Sequence, residues 1–135
     1  MSFRFPFRVY VEDTDMGGIV YYVNYLKFFE RARAELLRAV GVEQNKLQQD
    51  GVLFVVHDVQ CRYLQSARLD DELIVEVEIE RISGARMHFS QRAIKVADKS
   101  LLCTAEVVVV SVSAQTMKPT RLAPDLIEKV KDFTV

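Results

Sequence analysis

The chain has 135 residues, half of them hydrophobic and 27% charged. That length argues for a single domain over residues 1–135, and the composition excludes a disordered chain, which could not offset the entropy of ordering. Lys and Arg total 18 against 19 Asp and Glu, so no basic excess exists to neutralise a phosphate backbone and no nucleic-acid partner is expected.

Two cysteines, Cys61 and Cys103, are too few for a disulfide scaffold, and no CxxC pair suggests zinc. They read as small buried hydrophobes. Met1 to Pro6 lacks the apolar core of a signal peptide. The run Val107 to Val110 is far shorter than the roughly 20 residues of a membrane helix. The expectation is a cytoplasmic protein with no integral membrane segment and at most peripheral contact with the inner membrane.

In chain order, Phe3 to Val11 predicts a first strand. Asn24 to Val40, NYLKFFERARAELLRAV, carries a helical period. Tyr25, Leu26, Phe28, Phe29, Ala32, Leu36, Leu37 and Val40 form its wide apolar face, with Lys27, Arg31, Ala34 and Arg38 opposite. Asn24 is positioned as N-cap and Gly41 as C-terminal stop. Glu30 with Arg33, Arg31 with Glu35, and Glu35 with Arg38 are spaced for ion pairs.

From Leu53 onward the period becomes alternating. Leu53 to Leu64 predicts a strand with Val55, His57, Val59, Cys61 and Tyr63 on one side, where His57 reads as a hydrogen-bonded core histidine. Leu73 to Ile82 puts Leu73, Val75, Val77 and Ile79 on one face and Glu76, Glu78 and Glu80 on the other. Met87 to Ala97 and Leu101 to Val112 are further strands around an Asp98-Lys99 turn. Pro124 to Phe133 predicts a short terminal helix. Short turns cannot join parallel strands, so the class is α+β: an antiparallel sheet curled round one long helix.

Familiar sites are absent. The sequence has no GxSxG elbow, no GxxxxGK[ST] loop and no GxGxxG turn, and its two histidines, His57 and His88, are too few for a multi-histidine metal site. The unusual stretch is Tyr10 to Tyr25, YVEDTDMGGIVYYVNY. Glu12, Asp13 and Asp15 fall within four residues, before Gly17-Gly18 and the long helix. Crowding and desolvation raise carboxyl pKa values, glycines admit a close approach, and the first N–H groups of a helix are unpaired donors at its positive end. A carboxylate beside such donors suits acyl transfer. The same residues equally describe a Gly-rich turn whose acidic side chains bond their own backbone.

VYVEDTDMGGIVYYVNYLKFFERARAELLR, from Val9 to Arg38, resembles the hotdog-fold acyl-CoA thioesterases of the 4-hydroxybenzoyl-CoA thioesterase type. Within that family it is most similar to members associated with the bacterial Tol-Pal envelope system. FVVHDVQCRYLQSARLDDEL, from Phe54 to Leu73, and MKPTRL, from Met117 to Leu122, are weaker echoes. The resemblance implies a hotdog fold with a curved antiparallel sheet of about five strands around one central helix. It implies hydrolysis of acyl-CoA, or of acyl carrier protein thioesters, without a metal or bound cofactor.

Asp15 matches the family's catalytic aspartate, as general base or nucleophile. The backbone N–H of Tyr22 matches the donor that polarises the thioester carbonyl. Gly18 belongs with it on the substrate-binding side, and Asp13 is implied to position the loop. Tyr22 stands where the Tol-Pal-associated members often carry histidine and the hydroxybenzoyl-CoA enzyme carries tyrosine. Arg62, Arg68, Arg81, Arg86, Arg92 and Lys95 are available for coenzyme A phosphates. The resemblance also implies a homodimer or homotetramer with sites at the interface, and Val107 to Val112 is a poor bare sheet edge. Two alternatives remain: a non-catalytic hotdog module binding acyl carrier protein or envelope-biogenesis partners, and a hotdog dehydratase. The dehydratase pairs its aspartate with a nearby histidine, which this loop lacks.

Overall fold

The computed structural model describes residues 1–135. In chain order it holds β1 (Phe3–Arg8), a 3-10 turn (Val11–Asp13), α1 (Tyr22–Ala39), α2 (Gln44–Gln49), β2 (Val52–Tyr63), β3 (Glu72–Ser83), β4 (Arg86–Lys95), β5 (Leu101–Ser113), α3 (Pro124–Lys129) and a second 3-10 turn (Lys131–Phe133). The five strands make one antiparallel sheet in the order β1-β3-β4-β5-β2. The long helix α1 packs on β1, β3 and β4. This is the expected hotdog architecture. No helix is long and apolar enough to cross a membrane.

The alternation of β3 is realised as read: Leu73, Val75, Val77 and Ile79 are fully buried, while Glu76 and Glu78 lie half-buried on the other face. Against that apolar surface α1 buries Tyr25, Phe28, Phe29, Ala32, Leu36 and Leu37 and leaves Lys27, Arg31 and Arg38 exposed. The helix stops where Gly41 adopts φ +85°. There the Val42 N–H donates to the Leu37 carbonyl at 2.8 Å and the Gly41 N–H to the Arg38 carbonyl at 3.1 Å, closing the last turn. At the β4–β5 turn, Asp98 Oδ1 accepts the Ser100 N–H at 3.0 Å and its hydroxyl at 2.7 Å. Those bonds hold the Asp98 carboxyl below its ordinary range.

Several expectations need correction. The first strand ends at Arg8 rather than Val11, β4 at Lys95 rather than Ala97, and the terminal helix breaks into α3 and a 3-10 turn. α1 begins two residues earlier than expected, with Tyr21 as its N-cap. Asn24 is buried in the first turn instead, and its side chain turns to Asp13. Of the three anticipated ion pairs only Glu35–Arg38 forms; Arg33 is instead buried against the sheet. Helix α2 was not legible, since Leu47 is its one apolar residue.

β2 departs most from its reading. The register with β5 slips between Val56 and Asp58, leaving His57 as the extra residue of a bulge. A one-residue slip exchanges faces, so Val55 no longer shares a side with Val59. His57 is exposed, not a core histidine. Cys103 is fully buried, but Cys61 only partly, with their sulfurs 3.3 Å apart as free thiols.

Val107 to Val112 is no edge either, because β5 lies inside the sheet between β4 and β2. The bare edges are β1, where Pro6 has no N–H to offer a neighbour, and β2. Along β2 the exposed side chains include Val55, Val56, Val59 and Tyr63.

Candidate active site

The loop between β1 and α1 is built by Asp13. Its carboxylate is buried; Oδ2 accepts the Tyr10 N–H at 2.8 Å and Oδ1 accepts Asn24 Nδ2 at 2.9 Å. Its carbonyl accepts the Tyr21 N–H at 2.8 Å. One residue thus ties the 3-10 turn to the entry of α1. The three acidic side chains do not crowd together: Asp13 points inward, while Glu12 and Asp15 are exposed.

Asp15 sits in a tight turn. Its N–H donates to the Ile19 carbonyl at 2.9 Å, its carbonyl accepts the Gly18 N–H at 3.1 Å, and Oδ1 accepts the Gly17 N–H at 2.8 Å. Two glycines make this possible. Gly18 has φ +77°, a region other residues avoid, and a Cβ on Gly17 would lie 3.2 Å from Asp15 Oδ1. The loop is pinned to the chain beyond β2 by an Ile19–Arg68 bridge and by the Val20 N–H on the Ala67 carbonyl at 2.9 Å.

Asp15 opens onto a cavity of about 230 Å³ lined by Ile19, Val20, Tyr22, Tyr25, Tyr63 at the end of β2, and Leu64 to Ser66 just beyond it. The Tyr22 backbone N–H, first in α1, has no acceptor within the protein, as expected of an N-terminal helical donor. The sequence-predicted Asp15 and Tyr22 therefore share one cavity. Gly18 lies in the adjoining turn, with its own N–H taken by Asp15.

The tyrosine wall escaped the sequence reading. Tyr22 and Tyr63 meet edge to face at 5.9 Å between ring centroids, and Tyr25 lies 5.8 Å from Tyr63. The Tyr25 hydroxyl accepts the Ala67 N–H at 3.0 Å. Burial raises the Tyr25 phenol above its ordinary range, and partial desolvation beside the Cys61 thiol does the same to that of Tyr63. Tyr63 to Ser66 lie more than 40 positions beyond Tyr22, and only the echo beginning at Phe54 hinted at their involvement.

Among the cations proposed for phosphates, Arg92 pairs with Glu76 at 3.3 Å and Lys95 with Asp71 at 3.6 Å. Arg62 and Arg68, which bracket the Tyr63–Ser66 wall, have no carboxylate partner. No group of three or more His, Cys, Asp or Glu side chains is placed to hold a metal ion.

Residues 9–130 match the family model of the thioesterase-like superfamily. The chain belongs to that superfamily. Among its relatives, the acyl-CoA thioester hydrolase YbgC of Escherichia coli is 43% identical over 129 residues, 96% of each chain. The acyl-CoA thioesterase YbgC of Haemophilus influenzae is 44% identical over 119 residues, covering 87% of this chain and 86% of its own. The fold is that of Slr0204, a 1,4-dihydroxy-2-naphthoyl-CoA thioesterase from Synechocystis, with a TM-score of 0.92 at 20% identity over 98% of this chain and 97% of that one. In this thioesterase-like chain, then, the Asp15 cavity lies at the start of the helix that packs on β1, β3 and β4.

Proposed function

We propose that the protein hydrolyses acyl-CoA thioesters to a free carboxylic acid and a thiol, with Asp15 as its catalytic carboxylate. One observation carries the reading: the exposed Asp15 and Tyr22, whose unpaired N–H opens α1, line the same cavity. The relatives named acyl-CoA thioester hydrolases, at 43% identity across nearly the whole chain, support the same reaction class.

The chemistry follows from what each group can do. A thioester carbonyl accepting the Tyr22 N–H gains positive character at carbon, and the oxyanion formed on attack is held by that donor at the positive end of α1. Asp15 then removes a proton from an attacking water, or attacks through its own oxygen to give a mixed anhydride that water opens. In both routes the C–S bond breaks and the leaving thiolate takes up a proton. Gly17 and Gly18 hold Asp15 at the cavity mouth. The phosphates of coenzyme A fall to Arg62 and Arg68. An acyl carrier protein thioester offers the same reacting carbonyl and is a second substrate class.

The bare β2 edge fits the expectation of a homodimer or homotetramer. A twelve-residue strand with unpaired backbone groups and exposed valines is an edge that proteins ordinarily cover. Sedimentation showing a monomer at micromolar concentration would contradict that assembly. The free Cys61 and Cys103 thiols suit the reducing cytoplasm.

The test of the reaction is a steady-state screen of short, long and aromatic acyl-CoA thioesters, followed by thiol release. Turnover with at least one class is expected. No turnover with any, by folded protein, would leave the binding-module reading in its place.

A further inference from the structure

A second cavity, of about 210 Å³, lies between the C-terminal half of α1, the start of α2 and the sheet. Leu37, Met87, Phe89 and Val109 supply apolar wall. Set into it is Arg33, only 9% exposed. A guanidinium so far from water is costly unless an anion accompanies it, yet Arg33 has no carboxylate within ion-pair distance. Its one hydrogen bond goes to a neutral amide: Nη1 donates to Gln91 Oε1 at 2.8 Å. Gln91 is itself fixed, its Nε2 donating to the Phe29 carbonyl at 2.9 Å. The guanidinium also stands 5.9 Å from the centre of the Phe89 ring. Desolvation draws its pKa down to about 10, leaving it charged at pH 7.

No fully buried side-chain nitrogen in the protein is unpaired. Arg33 Nε and Nη2, which have no partner, are therefore not fully buried, and Arg33 is one of the residues that line the cavity. The arrangement is a rigid, partly desolvated cation with one free edge, set in a hydrocarbon and aromatic wall. A free edge of a guanidinium matches a carboxylate with two parallel hydrogen bonds. An apolar cavity of about 150 Å³ already accepts a benzene-sized body.

We propose that this cavity is a carboxylate-binding pocket, taking a small aromatic or aliphatic acid with its carboxylate on Arg33 Nε and Nη2 and its apolar body against Leu37, Met87, Phe89 and Val109. The pocket is distinct from the Asp15 cavity. Arg33 lies eleven positions beyond Tyr22 along α1, about 16 Å at the helical rise. The carboxylate has two sources: a free acid, the class of product that the proposed hydrolysis releases, or the distal carboxyl of a dicarboxylic acyl group. The second source rests on the hydrolytic reading, the first does not. Glu30, exposed at the cavity and three residues from Arg33, is the one carboxylate on the lining and would compete with the ligand.

The experiment is calorimetric titration of the full chain with benzoate and octanoate, and with the neutral benzamide and octanamide. Acids are expected to bind at least tenfold more tightly than amides, Arg33→Met to abolish that preference, and Glu30→Gln to strengthen acid binding. Arg33→Met removes an uncompensated buried charge but leaves Gln91 Oε1 without its donor, so its folding is checked by a thermal melt before titration. Ala34→Leu, which narrows the cavity with Arg33 in place, should weaken binding and keeps the test open if Arg33→Met does not fold. Equal affinity for acid and amide, or acid binding undiminished in Arg33→Met or Ala34→Leu, overturns the proposal. For the source, the turnover preference for tetradecanedioyl-CoA, whose extended chain is long enough to join the two sites, over tetradecanoyl-CoA is compared in wild type and Arg33→Met. A preference lost with Arg33 assigns the distal carboxyl, and an unchanged ratio with intact benzoate binding assigns the free acid. Acyl-CoA hydrolysis without carboxylate binding would refute the pocket alone. Carboxylate binding without hydrolysis would refute the reaction alone.

Discussion

Asp13→Ala separates the residue that builds the loop from the residue that faces the cavity. In the native chain the Asp13 carboxylate is only 4% exposed and accepts from Asn24 Nδ2 and from the Tyr10 N–H. Alanine strips both donors of their acceptor. Asn24 is buried within the first turn of α1, and an orphaned buried amide costs about 1–3 kcal/mol. The Tyr10 N–H lies nearer to solvent and adds the net value of an ordinary bond, about 0.5–1.5 kcal/mol. The expected loss is therefore about 2–4 kcal/mol, or roughly 10 °C in melting temperature for a chain of this size. Asp13→Asn keeps one acceptor oxygen and should lose about half as much. At Asp15 the carboxylate is exposed and bonded only to the exposed Gly17 N–H, which water can satisfy, so Asp15→Asn should change stability by no more than about 0.5 kcal/mol. Urea melts of the variants make the comparison. Equal losses at positions 13 and 15 would refute the division of labour between the two aspartates.

Leu36→Ala should destabilise by about 2–5 kcal/mol, because Leu36 is fully buried where α1 meets the sheet. Lys27→Ala on the exposed stripe should stay within about 0.5 kcal/mol, and indistinguishable denaturant midpoints would show the helix face to be misassigned. Gly17→Ala would bring a Cβ to 3.2 Å from Asp15 Oδ1. Displacing that carboxylate should lower kcat for acyl-CoA with little change in melting temperature, and wild-type turnover would show that its placement is immaterial.

The architecture was legible wherever burial imposes a period. Leu73 to Ile79 alternates because one face of β3 covers α1, and Phe28 to Leu37 repeats at helical spacing because α1 lies on that face. What escaped depends on registers and contacts that a period does not encode. The bulge at His57 reverses the faces of half of β2 without any glycine or proline to announce it. Asn24, an ordinary N-cap residue by type, is instead drawn inward by Asp13 from eleven positions upstream. Arg33, a charged residue spaced to pair with Glu30, lies under Phe89 because Gln91, 58 positions away, holds its guanidinium there.

The site divides in the same way. Asp15, Gly17, Gly18 and Tyr22 are contiguous, so a single stretch of sequence announced them. The wall from Tyr63 to Ser66 reaches the cavity only through the pairing of Ile19 with Arg68.

The central claim is that the Asp15 carboxylate carries the chemistry, and acyl-CoA hydrolysis by Asp15→Asn tests it most directly. The amide preserves shape and removes both basicity and nucleophilicity. With thiol release followed on protein shown to be folded, turnover should fall on the order of 100- to 10,000-fold for a general base, and further for a nucleophile. An Asp15→Asn protein that keeps more than about a tenth of wild-type turnover, well short of the loss expected for a general base, would contradict the account.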